Sequence, residues 1–209
     1  MRTCYLLLGL FLTYSLPAQY MDLAQLGLKG KVETIMEKVE GQTKYDLFRA
    51  FYENGNIQGK RKNIWEGKLL NVIITIYQYD DDGKLILSRI EKNDEIIGLS
   101  EYVHSGDTLI ETRKTNEKTE LLKRYFDQQK RQQIIIRNKS TITTTLDEDY
   151  LPVKHVISFA QGEMVTHYQT KVIKRDDHGN WLEVEIRNKH IATKKEVKTV
   201  WKREIDYYQ

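Results

Sequence analysis

The sequence predicts an all-β protein, an antiparallel meander of about 12 to 14 strands in a long twisted sheet that coils on itself. Three observations lead to this fold class. A seven-residue turn motif recurs along the chain, and β-branched residues alternate with polar ones between its copies. The chain also has 13 Tyr but only 2 Pro. A barrel or a two-sheet sandwich is the alternative, because a sheet of this length can also close.

The chain begins with an export signal. Arg2 supplies a positive start, residues 5–14 are uncharged and mostly apolar, and Leu16-Pro17-Ala18 ends on a small residue. We predict cleavage after Ala18, which divides the chain into a signal peptide at 1–18 and a single β-repeat domain at 19–209. Cys4 is the only cysteine and precedes the apolar run, so the mature chain is expected to be secreted or periplasmic and free of disulfides.

Charge argues against nucleic-acid binding, and hydropathy argues against a membrane-spanning helix. Lys and Arg total 33, Asp and Glu total 30, and the basic residues are scattered rather than clustered. Nucleic-acid binding needs a basic patch, so no nucleic-acid partner is expected. After the signal is removed, no stretch approaches the roughly 20 apolar residues of a spanning helix, and no transmembrane segment is expected.

In the mature chain, only the segment 20–28 has a sequence that could hold a short helix. The copies of the seven-residue turn motif follow this segment along the chain. We call these copies the signature turns, and they start at residues 51, 79, 102, 126, 146 and 175, with successive spacings of 28, 23, 24, 20 and 29 residues. A period in the twenties indicates a repeated supersecondary unit.

A second set of turns lies about halfway between the signature turns, for example at Glu66-Gly67, Asn138-Lys139-Ser140 and Gln161-Gly162. Strands fill the intervals, as in Leu182, Val184 and Ile186 against Glu183 and Glu185. Two alternating turn sets place all signature turns at one end of an antiparallel meander. Charge on both strand faces disfavours a transmembrane barrel.

Each residue of the signature turn has a structural reason. Gly at the fifth position suits the positive φ that tight hairpin turns need, and the Asp, Asn or Ser just before it can bond its side chain back to the turn backbone. The predicted structural turn residues are Gly55, Gly83, Gly106, Gly179, Asp80 and Asp176. Lys130 and Tyr150 replace the Gly in degraded copies, so these two turns are expected to be built differently and to tolerate substitution.

The signature-turn motifs resemble known repeats. The motif at 79–84 resembles the YD-type repeats of bacterial RHS proteins, and Phe51-Tyr52-Glu53-Asn54-Gly55 resembles bacterial MORN-like repeats. The start at 28–32 followed by such repeats is similar to small exported bacterial proteins. The resemblance covers about residues 28–208. It implies an antiparallel β-meander with a surface or envelope role, and it supplies no catalytic residues.

Motifs for metals and catalysis are weak. The acidic run before Gly83 does not fit an EF-hand, because Arg89 would stand where the loop needs a bidentate Glu. His155 and His167 lie around the Gln161-Gly162 turn, but strand parity sends them to opposite faces. Nucleophile elbow, P-loop and dinucleotide-binding motifs are absent from the sequence. The sequence predicts no cofactor, metal site or catalytic residue.

Aromatic residues give the remaining binding candidates. The flat patch that could bind a sugar or a protein partner consists of Trp65, Trp181 and Trp201 with Tyr77, Tyr79, Tyr207 and Tyr208, although such residues more often pack in cores or at strand ends. The favoured hypothesis is therefore a non-enzymatic exported protein that binds a protein or glycan, or acts as a scaffold, at the bacterial envelope or cell surface. The alternatives are an envelope carbohydrate hydrolase and a carrier or chaperone for an apolar ligand.

Overall fold

The computed structural model describes residues 26–41, 46–66, 69–105, 108–127, 129–190 and 196–209, and the side chains of all these except 65, 66, 69, 189, 190 and 196. The predicted signal peptide, its cleavage site and most of the predicted helix at 20–28 lie outside the described residues. Among the described residues, no helix is long and apolar enough to span a membrane.

The described part of the chain forms fourteen β-strands. Their bounds are β1 Val32–Val39, β2 Leu47–Phe51, β3 Ile57–Glu66, β4 Leu69–Tyr79, β5 Leu85–Lys92, β6 Glu95–Ser105, β7 Thr108–Thr115, β8 Thr119–Asp127, β9 Gln132–Arg137, β10 Ser140–Leu146, β11 Pro152–Phe159, β12 Gly162–Arg175, β13 Trp181–His190 and β14 Glu196–Tyr207. Each strand pairs with the next in sequence, as the predicted meander requires.

The sheet closes into a barrel because β1 pairs antiparallel with β14, from Val32 opposite Tyr207 to Val39 opposite Trp201. The predicted all-β class and meander are confirmed, and so is the barrel alternative. The open coiling sheet is wrong. An open ribbon would leave the backbone donors and acceptors of β1 and β14 unpaired at two edges, and closure pairs both.

Side chains alternate between the inside and the outside of the barrel wall. Ile35, Leu85 and Val184 point inward and are fully buried. Directly opposed residues in neighbouring strands share a face, so the register carries this assignment around the barrel. Glu185 lies outward between Arg187 and Lys198, which bind its carboxylate at 2.7 and 2.6 Å.

Two apolar clusters fill the barrel near the signature turns. The larger contains Val32, Ile35, Phe51, Ile57, Tyr77, Leu85, Tyr102 and Leu109, and the smaller contains Leu151, Trp181, Val184 and Ile186. Leu26 and Leu28 pack against the larger cluster from the segment before β1. The signature-turn end of the barrel is therefore filled by side chains.

Candidate functional site

The signature turns are held by a repeated set of hydrogen bonds. At the second copy, Gly83 N donates to Asp80 O at 3.0 Å, and Asp80 Oδ1 accepts from Lys84 N at 2.8 Å. At the last copy, Gly179 N donates to Asp176 O at 3.0 Å, and Asp176 Oδ1 accepts from the Asn180 backbone at 2.8 Å. This is a type I turn followed by a left-handed residue.

The glycines of these turns have the backbone that the sequence predicts. Gly55, Gly83 and Gly179 have φ values of 90°, 77° and 83°. Gly106, the fourth predicted turn glycine, lies outside the described residues. Register shifts occur in the strands that enter several of these turns, at Ala50/Phe51 and Gln78/Tyr79 for example. Such bulges accompany hairpin loops of this kind.

The degraded copy at residues 147–151 is built in the same way, which corrects the expectation for Tyr150. Tyr150 has a φ of 58°, its backbone N–H donates to Asp147 O at 3.2 Å, and Asp147 Oδ1 accepts from Leu151 N at 2.9 Å. A non-glycine residue therefore takes the left-handed position. Its ring stacks on Phe126 with centroids 6.2 Å apart, a contact that a glycine could not make.

A segment before β1 crosses the signature-turn end of the barrel. Lys29 N donates to Asn180 Oδ1 at 2.8 Å, and Asn180 Nδ2 donates to Lys29 O at 2.9 Å. Tyr207 lies against the same asparagine, with Nδ2 to Oη at 2.7 Å, and its hydroxyl donates to Asp176. Asn180 is only 4% exposed, so the last signature turn ties the N-terminal segment to β14.

The first two signature turns form a groove of about 500 Å³ that opens to solvent. It is lined by Tyr52, Asn54, Asn56, Tyr77, Gln78, Tyr79 and residues 80–83. Asn56 Nδ2 donates to Gly83 O at 3.1 Å and so joins the two turns directly. Tyr79 donates its hydroxyl to Ile57 O at 2.8 Å. The groove is thus a built feature of two neighbouring turns.

Aromatic and acidic groups dominate this groove. Tyr52 is 41% exposed and meets Tyr79 edge to face, with centroids 6.2 Å apart. The acidic run supplies exposed carboxylates at Asp81 and Asp82, and Lys84 lies 3.7 Å from Asp82. Exposed aromatic surface beside polar groups is a common way to bind a ligand with both apolar and hydroxyl-bearing faces.

A buried ion cluster lies inside the barrel at the strand pair that closes it. Glu37 on β1 accepts from Arg203 Nη2 on β14 at 2.7 Å and from Arg49 on β2. Burial alone would raise the pKa of the Glu37 carboxyl, but the two guanidiniums lower the pKa to about 2. Arg203 also lies 3.4 Å above the ring of Trp181 on β13. The closing strands β1 and β14 are therefore joined by charge, and a cation–π contact joins β14 to β13.

A second buried carboxylate lies on β7. Glu111 binds Arg124 and Arg113 at 2.7 Å each and accepts from Ser100 Oγ at 2.8 Å. Burial would raise the pKa of this carboxyl, and the guanidiniums hold it below the usual value. Lys60 faces the same interior, where burial and the neighbouring Arg49 lower its pKa to about 7.

The tryptophans predicted as a surface patch are not brought together on the surface. Trp181 is 7% exposed in the smaller apolar cluster, and Trp201 packs partly buried against that cluster. Trp65 is on β3, and its side chain lies outside the described residues. Of the tyrosines predicted for the same patch, Tyr77 and Tyr79 line the groove together with Tyr52.

The two histidines on β11 and β12 lie on opposite faces of the barrel wall. His155 opposes Thr166 and points inward, whereas His167 opposes Lys154 and points outward, so the predicted separation onto two faces is confirmed. The hairpin turn is Ala160-Gln161, one residue earlier than predicted. Among the described residues, no group of three or more His, Cys, Asp or Glu could hold a metal ion.

Comparisons with known proteins give little beyond this geometry. No protein-family model matches the chain. No curated protein matches it either. Among solved structures, a porin-like protein from Bacteroides uniformis is similar to it, with a TM-score of 0.47 and 12% identity over 85% of this chain and 99% of that one. The resemblance to YD-type and MORN-like repeats therefore stays a prediction.

Proposed function

We propose that this chain is a non-enzymatic exported β-barrel that binds a glycan, or a glycan-bearing partner, at the bacterial envelope through its signature-turn end. The observation that carries the proposal is the groove between the first two signature turns. The predicted export signal supports the location, since an exported bacterial protein meets envelope glycans on its way out.

The groove offers the contacts that a sugar requires. The exposed ring of Tyr52 can stack on the apolar face of a pyranose. The carboxylates of Asp81 and Asp82 can accept hydrogen bonds from its hydroxyls, and the Asn54 amide can donate as well as accept. The Asn56 bond to Gly83 O fixes the spacing of the two turns, so the ligand would meet a preformed surface.

The interior chemistry supports a binding role over hydrolysis. A glycosidase needs a general acid with a raised pKa beside a second carboxylate. The buried Glu37 and Glu111 have lowered pKa values, because each is held by two guanidiniums. Both carboxylates therefore remain charged near neutral pH and act as structural ions.

The outer wall supports a barrel that stands in water. Lys114 binds Glu101 at 2.8 Å between β6 and β7, and Lys198 binds Glu185 at 2.6 Å between β13 and β14. A Lys or Arg on the lipid-facing side of a membrane barrel costs about 2 to 4 kcal/mol at the bilayer midplane. Outward ion pairs on opposite sides of the barrel would be costly in lipid.

Co-sedimentation with purified peptidoglycan sacculi tests the proposal. The mature chain should pellet with sacculi, and Tyr52→Ala and Asp81→Asn should each lower the bound fraction severalfold without changing the melting temperature. Leu121→Ala is the matched control, because Leu121 is 51% exposed on the outward side of β8 and should leave binding unchanged. Release of reducing sugar ends from the sacculi, or full binding by Tyr52→Ala, would overturn the proposal.

A further inference from the structure

The two ends of the barrel differ in how they cover inward-facing side chains. At the signature-turn end, Phe51 is 1% exposed and Leu85 is fully buried. At the opposite end, Phe159 and Met164 are 47% and 37% exposed, although their register places them on the inner face. We call this second end the open end, because solvent reaches its inner wall.

An apolar row crosses the inner wall at the open end. Ile135, Ile142, Ile157 and Met164 are directly opposed in turn on β9, β10, β11 and β12. Phe159 lies one row nearer the mouth, opposite Ser140. Directly opposed residues on one face make contact, so these side chains form a continuous apolar strip across four strands.

Basic side chains flank this strip. Arg124 opposes Ile135 at the β8 end of the apolar row, and Arg137 opposes Ser140 one row nearer the mouth. Arg113 faces inward from β7, with 26% of its side chain exposed, and Arg137 has 44% exposed. Solvent therefore reaches guanidinium groups beside the apolar strip.

Among the described side chains, the inner wall carries more basic than acidic groups. Their inward strand positions hold Arg49, Lys60, Lys62, Lys92, Arg113, Arg124, Arg137 and Arg203 against Glu37, Glu95, Glu111 and Glu120. Glu37 and Glu111 are each shared by two arginines, and Glu120 is shared by Arg137 and Lys118. A positive interior attracts an anion and repels a cation.

We propose that the open end binds a free amphiphile with one acyl chain and an anionic headgroup. The chain lies along the strip from Ile135 to Met164 under Phe159, and the headgroup meets the guanidiniums of Arg113 and Arg137. Burial of the alkyl chain drives binding, and the charge-assisted hydrogen bonds orient it. This site is at the opposite end of the barrel from the proposed glycan groove and does not depend on it.

Calorimetric titration of the mature chain with dodecanoate, below its micelle concentration, tests the ligand class. Dodecyltrimethylammonium has the same chain with the opposite charge and serves as the matched probe. We expect dodecanoate to bind one per chain and at least tenfold more tightly than the cationic probe. No binding of dodecanoate, equal affinity for both probes, or binding only to vesicles of anionic phospholipid would overturn the proposal.

Substitutions on the two faces of the wall test the position. Phe159→Glu and Met164→Glu should each weaken dodecanoate binding at least tenfold, whereas Leu121→Glu on the outer face should not. Arg137→Gln should weaken it severalfold, with Lys123→Gln on the outer side of β8 as its control. Phe159 and Met164 are already exposed, so both variants should have the melting temperature of the wild type.

Affinity as high as that of the wild type in both Phe159→Glu and Met164→Glu would overturn the proposed position. Tyr52→Ala separates the two proposals, because it should lower sacculus binding and leave dodecanoate binding unchanged.

Discussion

At the scale of single residues, the left-handed backbone positions decide which substitutions the turns accept. Gly27 has a φ of 65°, and a Cβ at this position would overlap the ring of Tyr150. Gly179 has a φ of 83°, and its Cβ would meet only the Lys29 ammonium, at an ordinary 3.5 Å. The two glycines share the backbone requirement and differ in the space around them.

This difference predicts two unequal costs. Gly179→Ala should lower the free energy of unfolding by about 1 to 2 kcal/mol, because an L-residue is strained in the left-handed region. Gly27→Ala should cost more, since the same strain is joined by a steric clash with a packed ring. Urea denaturation of both variants measures the difference. Gly27→Ala with Tyr150→Ala should recover part of the loss, and equal costs for both glycine variants would contradict this assignment.

The residue scale also shows what local patterns can predict. Asp80 and Asp176 accept backbone N–H groups inside their own turns, so the sequence near each turn contains the needed information. Tyr150 was misread because its left-handed backbone is supported from a distance, by Phe126 and by the space at Gly27. Trp181 packs in the core, which is the commoner setting for such residues, and its partner Arg203 belongs to another strand.

At the scale of elements, the pairing of β1 with β14 turns a sheet into a barrel. Across this pairing Glu37 binds Arg203, which lies 166 positions away in sequence, and Arg49 of β2 binds the same carboxylate. Periodicity predicts strands and faces, but it does not tell which distant edges meet. The pairing brings Glu37 of β1 opposite Arg203 of β14, a contact that neither strand's own pattern predicts.

Breaking that cluster should be costly. Glu37→Gln should lower the free energy of unfolding by about 3 to 5 kcal/mol, because two buried guanidiniums lose their counter-ion. Substitution of Lys114, which pairs with Glu101 on the outer wall, is the control. It should lower the free energy of unfolding by no more than about 1 kcal/mol. Chemical denaturation of both variants provides the measurement.

The pH dependence has a defined sign. The pKa of Glu37 falls from 4.5 to about 2 on folding, so its contribution is full above pH 4.5 and is lost as the pH falls towards 2. The difference in unfolding free energy between wild type and Glu37→Gln should shrink over that window. A difference that stays constant from pH 5 to pH 2 would show that Glu37 is not ionised in the folded barrel.

At the scale of the whole molecule, the barrel combines a filled end with an end whose inner wall meets solvent. The sequence predicted the meander and placed the signature turns at one end, because alternating turns in an antiparallel chain leave no other arrangement. It could not predict the contents of the barrel. Arg49, Lys60 and Arg124 look like solvated strand residues until closure brings their strands around a common interior.

The excess of inward positive charge should appear as a rise in stability with pH. Burial and four nearby cations, Arg49, Lys62, Arg113 and Arg124, lower the pKa of Lys60 from 10.5 to about 7. Between these two values the unfolded chain binds the proton and the folded barrel does not, so the free energy of unfolding should increase as the pH rises from 7. Burial and the bond to Asp176 raise the pKa of Tyr207 from 10.0 to about 12, which opposes this trend only above pH 10.

Lys60→Met keeps the length of the side chain without its charge, and it should flatten the rise between pH 7 and pH 9.5. Urea denaturation across that range measures the slope, and Lys123→Met on the outer wall should keep the slope of the wild type. A wild-type curve without a rise, or a variant curve that rises as steeply, would show that Lys60 does not titrate inside a positively charged interior.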